Sequence, residues 1–221
     1  MLVTVLAENE SESSRLGAQH GLSLLIESSN RTILFDTGAD DLFSRNAETL
    51  EKSIDAVDFA VISHGHNDHG GGLEAFLKIN DHAPVYIRRS AFEPHRSLRK
   101  SNQIAYIGLD SKLMQTSRFI FTDELEEPTR GVALFSGVTE RDWFSGCNAT
   151  ILMEQSGAAV PDDFRHEQSM LLREGENIVL FAGCAHSGIV NILRRAERLL
   201  GRMPDVVIGG FHLYSPSSGT C

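Results

Sequence analysis

Apolar and polar positions along the chain fall into short runs, separated by clusters of glycine, serine, asparagine and charged residues. Residues 2–7 read as a first strand, and a polar loop over 8–19 leads to a second apolar run over 22–26. Ser28-Ser29-Asn30-Arg31 has the composition of a hairpin turn, so 33–35 returns as a third strand, ending in Asp36-Thr37-Gly38. A helix is expected over 40–50. The apolar run 57–62, bounded by polar and glycine residues, reads as a buried strand. Leu73, Phe76 and Leu77 then keep helical spacing, so Gly70-Gly71-Gly72 opens a short helix, and 84–87 is another strand.

Residues 88–130 are less legible. Beyond them, 132–135 and 149–153 read as strands of a second sheet, and 169–172 and 177–182 as two more strands, joined through Arg173-Glu174-Gly175-Glu176 in a hairpin-like pattern. Ile189, Ile192, Leu193, Ala196, Leu199 and Leu200 form an i, i+3, i+4, i+7 stripe, which predicts a helix over 188–200. A last strand over 205–209 delivers Gly210-Phe211-His212-Leu213. Two strand-rich blocks with helices between and after them imply an α/β fold, two packed sheets with helices outside, in one domain over 1–221.

Composition narrows the class. Hydrophobic content of 41% with 23% charged residues is that of an ordinary globular chain. No run is apolar enough to span a membrane, and Leu2-Val3-Thr4-Val5-Leu6 lacks the basic stretch and cleavage site of a signal peptide. A net charge of -10 speaks against a nucleic-acid surface covering the molecule. Cys147, Cys184 and Cys221 are an odd, widely spaced set, unlike a disulfide framework, so a reducing cytoplasmic location is expected.

The chemistry concentrates in His64-Gly65-His66-Asn67-Asp68-His69, directly behind the strand over 57–62. Imidazole and carboxylate are the ligand types for zinc, manganese and iron. His64 and His66 can point one way from an extended segment, whose side-chain period is two, and Asp68 and His69 can address a second point beside the first. Two metals about 3.5–4 Å apart is the usual hydrolytic arrangement. A loop that only capped a helix would need one such residue, not four. Asp36 is read either as orienting a ligand histidine from behind or as a turn or cap residue. Arg88, Arg89, Arg96, Arg99 and Lys100 form a basic cluster, with His95 inside it, in an otherwise acidic chain. Arg96, Arg99 and Lys100 are candidates for an anion subsite, because arginine grips phosphate bidentately; a solvated face is the open alternative.

The His-x-His-x-Asp-His loop behind Phe35-Asp36-Thr37-Gly38 resembles the metallo-β-lactamase superfamily over nearly the whole chain. Gln19-His20-Gly21-Leu22-Ser23, Gly183-Cys184-Ala185-His186-Ser187-Gly188-Ile189-Val190-Asn191 and Gly209-Gly210-Phe211-His212-Leu213 are similar to a narrower group. Its members are described as dihydropterin-methyl-(ribofuranosyl)aminobenzene 5'-phosphate synthase-like metal hydrolases. The resemblance implies an αββα four-layer sandwich of two mixed sheets, with a dinuclear site at the sheet ends. It implies His64 and His66 on a first metal, Asp68 and His69 on a second, and His166, His186 and His212 completing the shell. Cys184 stands where relatives often carry a bridging aspartate, so either its thiolate or His186 takes over. His20, His82 and His95 are set apart as non-ligands, with His20 placed to line the pocket.

The resemblance and the ligand set together imply a metal-dependent hydrolase, or related lyase or synthase, using metal-activated hydroxide on a phosphorylated, pterin-linked small molecule. Up to two Zn²⁺ ions are expected, with Mn²⁺ or Fe as alternatives, and Asp68 is the candidate to orient water or receive its proton. No Gly-x-Ser-x-Gly elbow or P-loop competes. The competing classes are a di-iron redox protein of the same fold and a non-catalytic metal-binding domain. No nucleic-acid or membrane partner is expected. Members of the group continue past the Gly-Gly-Phe-His-Leu stretch, whereas here the sequence stops at Ser217-Ser218-Gly219-Thr220-Cys221. The domain therefore reads as short at its C-terminus, with an open sheet edge that pairs with a second copy as a homodimer, or with a weak second metal site.

Overall fold

The computed structural model describes residues 1–215, 219 and 220. Residues 216–218 and 221, in the closing stretch on which the expectation of an open edge rests, lie outside the described residues. In chain order the first strands are β1 (Leu2–Ala7), β2 (Ser23–Ser28), β3 (Arg31–Phe35), β4 (Phe59–Val61) and β5 (Val85–Ile87). Next come β6 (His95–Leu98), β7 (Ile104–Tyr106), β8 (Phe119–Phe121), β9 (Leu125–Thr129) and β10 (Val132–Phe135). The remaining strands are β11 (Ile151–Gln155), β12 (Ala158–Pro161), β13 (Ser169–Glu174), β14 (Asn177–Ala182), β15 (Val206–Gly209) and the short pair β16 (Tyr214–Ser215) and β17 (Gly219–Thr220). Among the described residues, four α-helices accompany them: α1 (Leu42–Thr49), α2 (Asn67–Gly70), α3 (Leu73–Ile79) and α4 (Ile189–Leu200). The architecture is mixed α/β, as the sequence implies, and none of these helices is long and apolar enough to cross a membrane.

The chain divides into two compact units. The first comprises Met1–Phe92 and Leu109–Phe121 and holds a six-stranded mixed sheet in the order β1-β2-β3-β4-β5-β8. The antiparallel hairpin β2–β3 turns through Ser29 and Asn30, as its composition predicts. From β3 onward the strands are parallel, so they read as unbroken apolar runs rather than alternations. Leu25, Leu34, Ala60 and Ile62 join Phe43, Ala47, Leu73 and Phe76 of α1 and α3 in one buried core.

The second unit comprises Glu93–Gly108 and the chain from Thr122 onward. Its larger sheet, mixed and five-stranded, runs β15-β14-β13-β10-β9. Helix α4 lays Ile192 and Ala196 into a core with Phe135, Leu171, Leu180 and Ala182, which is the stripe the sequence shows. One expectation is corrected here. The strand expected at 149–153 does not join the sheet of β10. A single 3₁₀ turn over Gly146–Thr150 precedes it, and β11 pairs instead with β6 and β12 in a separate antiparallel sheet, β12-β11-β6-β7. Long-range pairing partners of short strands are set by tertiary packing, not by local pattern. The same sheet accounts for much of the poorly legible stretch over 88–130: β6 and β7 are only four and three residues long and largely polar or half-exposed.

Candidate metal centre

In the first unit the site follows from two parallel strands ending side by side. Phe35 of β3 lies opposite Val61 of β4, and the N–H of Asp36 donates to the Val61 carbonyl at 2.9 Å. Asp36 and Ser63 therefore leave the same edge of the sheet together. Asp36 is fully buried with a left-handed φ of 60°, a conformation that costs energy in a non-glycine residue and is found where surrounding structure dictates it. Its Oδ1 accepts the Ser63 N–H at 2.7 Å, and its Oδ2 accepts the Ser63 hydroxyl at 2.7 Å and meets Nδ1 of His69 at 2.7 Å. Asp36 thus holds the His69 ring directly and, through Ser63, the His64 ring.

This network fixes tautomers. The Ser63 hydroxyl has one proton; it goes to Asp36, so the oxygen accepts from Nδ1–H of His64 at 2.8 Å. Nδ1 of His69 likewise donates to Asp36. In both rings Nε2 then carries the lone pair, the form that ligates a metal. The ring of His64 stands 4.6 Å from that of His66 and 4.2 Å from that of His69, and all three are buried. Asp68 lies in the first turn of α2, with its Oδ2 3.7 Å from Nε2 of His69 and 3.3 Å from Nε2 of the exposed His20.

The second unit repeats the device. Strands β14 and β15 are parallel, Ala182 opposite Gly209, and the N–H of Gly210 donates to the Gly183 carbonyl at 2.8 Å. The segments carrying Cys184 and His186 and the one carrying His212 thus leave the sheet together, and ligand-type atoms of these three residues lie within 4.8 Å of one another. Asn148 donates to the His186 carbonyl at 2.8 Å, which orients its amide so that Oδ1 accepts from Nδ1–H of His186 at 2.9 Å. Nε2 is again the lone-pair nitrogen. Buried Glu167 accepts the N–H groups of His186 at 2.6 Å and Ser187 at 2.8 Å. Phe164 stacks flat on the His186 ring, centroids 4.7 Å apart. Ala185 and His212 have φ of 53° and 44°, so left-handed non-glycine conformations mark this loop pair too.

His166 is buried, and its immediate company within this unit is His95, Asp162 and Phe164. Its ring packs on His95 at 3.9 Å, and both rings address Asp162. Nothing in the linear sequence joins these positions; the short spacing of Asp162 and His166, three residues intervening, was the one visible signal. Burial by itself would push the Asp162 carboxyl up, but hydrogen bonds from His166 and His95 outweigh it and hold the group well below the usual carboxylate range. Burial, with His95 beside it, pulls His166 below its ordinary value. His82 is exposed beside Asp81.

The basic residues serve several ends. Arg89 lies over the Phe121 ring at 3.8 Å in the first unit, whereas Arg96 of the second pairs with Glu154 at 2.9 Å. Arg99 and Lys100 sit exposed beyond β6 in the turn toward β7.

The buried imidazoles and the carboxylate of the first unit, and the imidazoles and thiol of the second, are each donor types that fit a divalent transition metal. The family model described as the metallo-beta-lactamase superfamily matches residues 16–145, more than half of the chain. The chain belongs to that superfamily. Its relatives within the metallo-β-lactamase superfamily include Tm1679, described as a metal-dependent hydrolase, whose crystal structure is 30% identical with a TM-score of 0.79, over 98% of this chain and 78% of that one. An uncharacterized protein of Methanocaldococcus jannaschii is 30% identical over 98% of this chain and 81% of its own. The 7,8-dihydropterin-6-methyl-4-(beta-D-ribofuranosyl)-aminobenzene-5'-phosphate synthase of the same organism is 25% identical over 96% of this chain and 77% of its own.

Proposed function

We propose that this superfamily member is a metal-dependent hydrolase, or a related lyase or synthase, acting on a phosphorylated small molecule. The observation that carries the reading is the hydrogen-bond chain Asp36–Ser63–His64 with Asp36–His69, which locks two buried histidines as Nε2 donors. His64, His66, Asp68 and His69 would hold metal in the first unit, and Cys184, His186 and His212 in the second, with zinc fitting the mixed nitrogen, oxygen and sulfur set best. A divalent ion, when bound, supplies Lewis-acid polarisation and acidifies water. Asp68, less buried than His69 and flanked by it and the exposed His20, would accept a proton and pass it outward. The phosphorylated substrate is supported by the 5'-phosphate in the name of one relative and by the exposed cations Arg99 and Lys100.

The test is turnover of chromogenic phosphomonoester, phosphodiester and lactone substrates by zinc-loaded protein. Turnover of a phosphorylated substrate, lost in His64→Ala/His69→Ala, is expected. Wild-type protein with verified metal content that turns over none of the panel would sink the hydrolytic reading.

A further inference from the structure

We infer that Trp143 is a substrate-recognition residue of the second unit, an indole platform for a planar aromatic group carried by the phosphorylated substrate. This assignment rests on the function proposed above and adds the character of the substrate away from its phosphate. Trp143 is the only tryptophan of the chain, and it is left 63% exposed. An indole carries a large apolar surface, and tryptophan is the side chain most enriched where a partner covers it.

The segment that carries it is tied down on both sides. Before it, the Glu140 carbonyl accepts Nδ2 of the buried Asn191 of α4 at 3.2 Å. The Arg141 guanidinium donates to the carbonyls of Val138 at 2.9 Å and Asp163 at 2.8 Å, and Asp142 pairs with Arg194 of α4 at 3.1 Å. After it, the Ser145 hydroxyl donates to the His212 carbonyl at 2.6 Å. A tryptophan on a fixed backbone has two side-chain torsions left to order, so it loses little freedom when a ligand covers it.

The same ties set Trp143 beside the candidate ligands. A Cβ on Gly188, at φ +89°, would lie 2.4 Å from the Trp143 carbonyl oxygen, so glycine lets the tryptophan backbone rest on the loop that follows His186. Ser145, two residues on, holds His212, whose ring stands 4.3 Å from that of His186. On either side of His212 in the chain, Phe211 and Leu213 are 38% and 52% exposed. Exposed apolar side chains on two separate segments thus border a pair of ligand-type imidazoles. Apolar surface around a few polar groups is the make-up of small-molecule sites. The flat indole selects an aromatic over an alkyl group, because offset stacking adds to simple burial.

The experiment is a fluorescence and calorimetric titration of zinc-loaded protein with benzylphosphonate, which has no ester to hydrolyse, and with butylphosphonate, its alkyl counterpart. With one tryptophan in the chain, indole emission reports position 143. A saturable blue shift with benzylphosphonate and none with butylphosphonate is expected, with benzylphosphonate the tighter ligand by about fivefold. Trp143→Ala should bring the two affinities together, and Trp143→Phe should keep most of the difference; far-UV circular dichroism checks that both variants fold. No binding of benzylphosphonate, binding without a change in emission, equal affinity for the two probes, or the same preference in Trp143→Ala as in wild type overturns the assignment. Binding is read without turnover, so the two readings fail separately. Aromatic preference through Trp143 with no turnover of any phosphoester sinks the hydrolytic reading alone. Turnover in which Trp143→Ala selects aryl over alkyl phosphoesters as wild type does sinks the platform alone.

Discussion

Oδ2 of Asp36 stands 2.7 Å from Nδ1 of His69, a contact between two buried side chains 33 residues apart in the chain. It exists because β3 and β4 run parallel and in register, so that their ends deliver Asp36 and the histidine loop to one edge of the sheet. The same carboxylate holds Ser63, and through it His64. A single residue thus sets the orientation and tautomer of two candidate ligands.

Asp36→Ala should therefore act on metal binding and stability together. Loss of a partner behind ligating histidines typically costs 10–100-fold in metal affinity. Buried donors of Ser63 and His69 left without their acceptor add about 1–3 kcal/mol of destabilisation. Competitive chelator titration and urea unfolding read the two effects. Wild-type affinity in the variant would show that Asp36 plays no orienting part.

Gly21 sits at φ +133°, and a Cβ there would fall on the carbonyl oxygen of Asp68, whose acceptor role toward Leu22 N–H at 3.3 Å ties this stretch to the His64–His69 loop. Gly21→Ala is expected to cost about 1–3 kcal/mol from backbone strain and to weaken metal retention by displacing Asp68. An unshifted urea midpoint together with unchanged metal content would refute this.

Glu167 is the anchor of the His186 loop. Removing both acceptors in Glu167→Ala leaves two buried N–H groups, for an expected cost of roughly 2–4 kcal/mol. Glu167→Gln keeps one acceptor oxygen and should fall between Ala and wild type. Amide hydrogen exchange at His186 and Ser187 provides the local readout, and equal protection in all three proteins would be the contrary result.

Helix α4 is tied to the loop before β11 by the ion pair of Arg198 with Glu140. The Glu140 N–H and the Arg198 guanidinium hold the Glu140 carboxyl below its ordinary value. A depressed carboxylate adds stability that is present above its unfolded value, about 4.3, and is lost as pH falls through the lower folded value. Glu140→Gln should thus cost less than about 1 kcal/mol at neutral pH, because the pair is partly solvent-screened, and its difference from wild type should vanish in acid. Urea midpoints measured from pH 7 down to pH 3 check the trend; a difference that grows toward low pH would reverse the assignment.

The linear sequence determined the elements whose physics is local. The stripe from Ile189 to Leu200 defines α4 because a helix repeats every 3.6 residues, and the unbroken run before His64 defines a strand buried on both faces. The grouping of His64, His66, Asp68 and His69 as candidate ligands was legible for the same reason: four donor side chains within six residues need no tertiary information to be seen as a set. Tertiary structure alone decided which distant residues meet. The pairing of β11 with β6 put His95 in the same sheet as the strand that precedes Asp162, and the parallel pairing of β14 with β15 put His212 beside His186. Such meetings depend on strand register and on the order of strands in a sheet, which are fixed by burial of whole faces and by loop closure over tens of residues. A sequence read residue by residue carries neither quantity, so His95 looked like one more polar position in an illegible stretch until the sheet gave it neighbours.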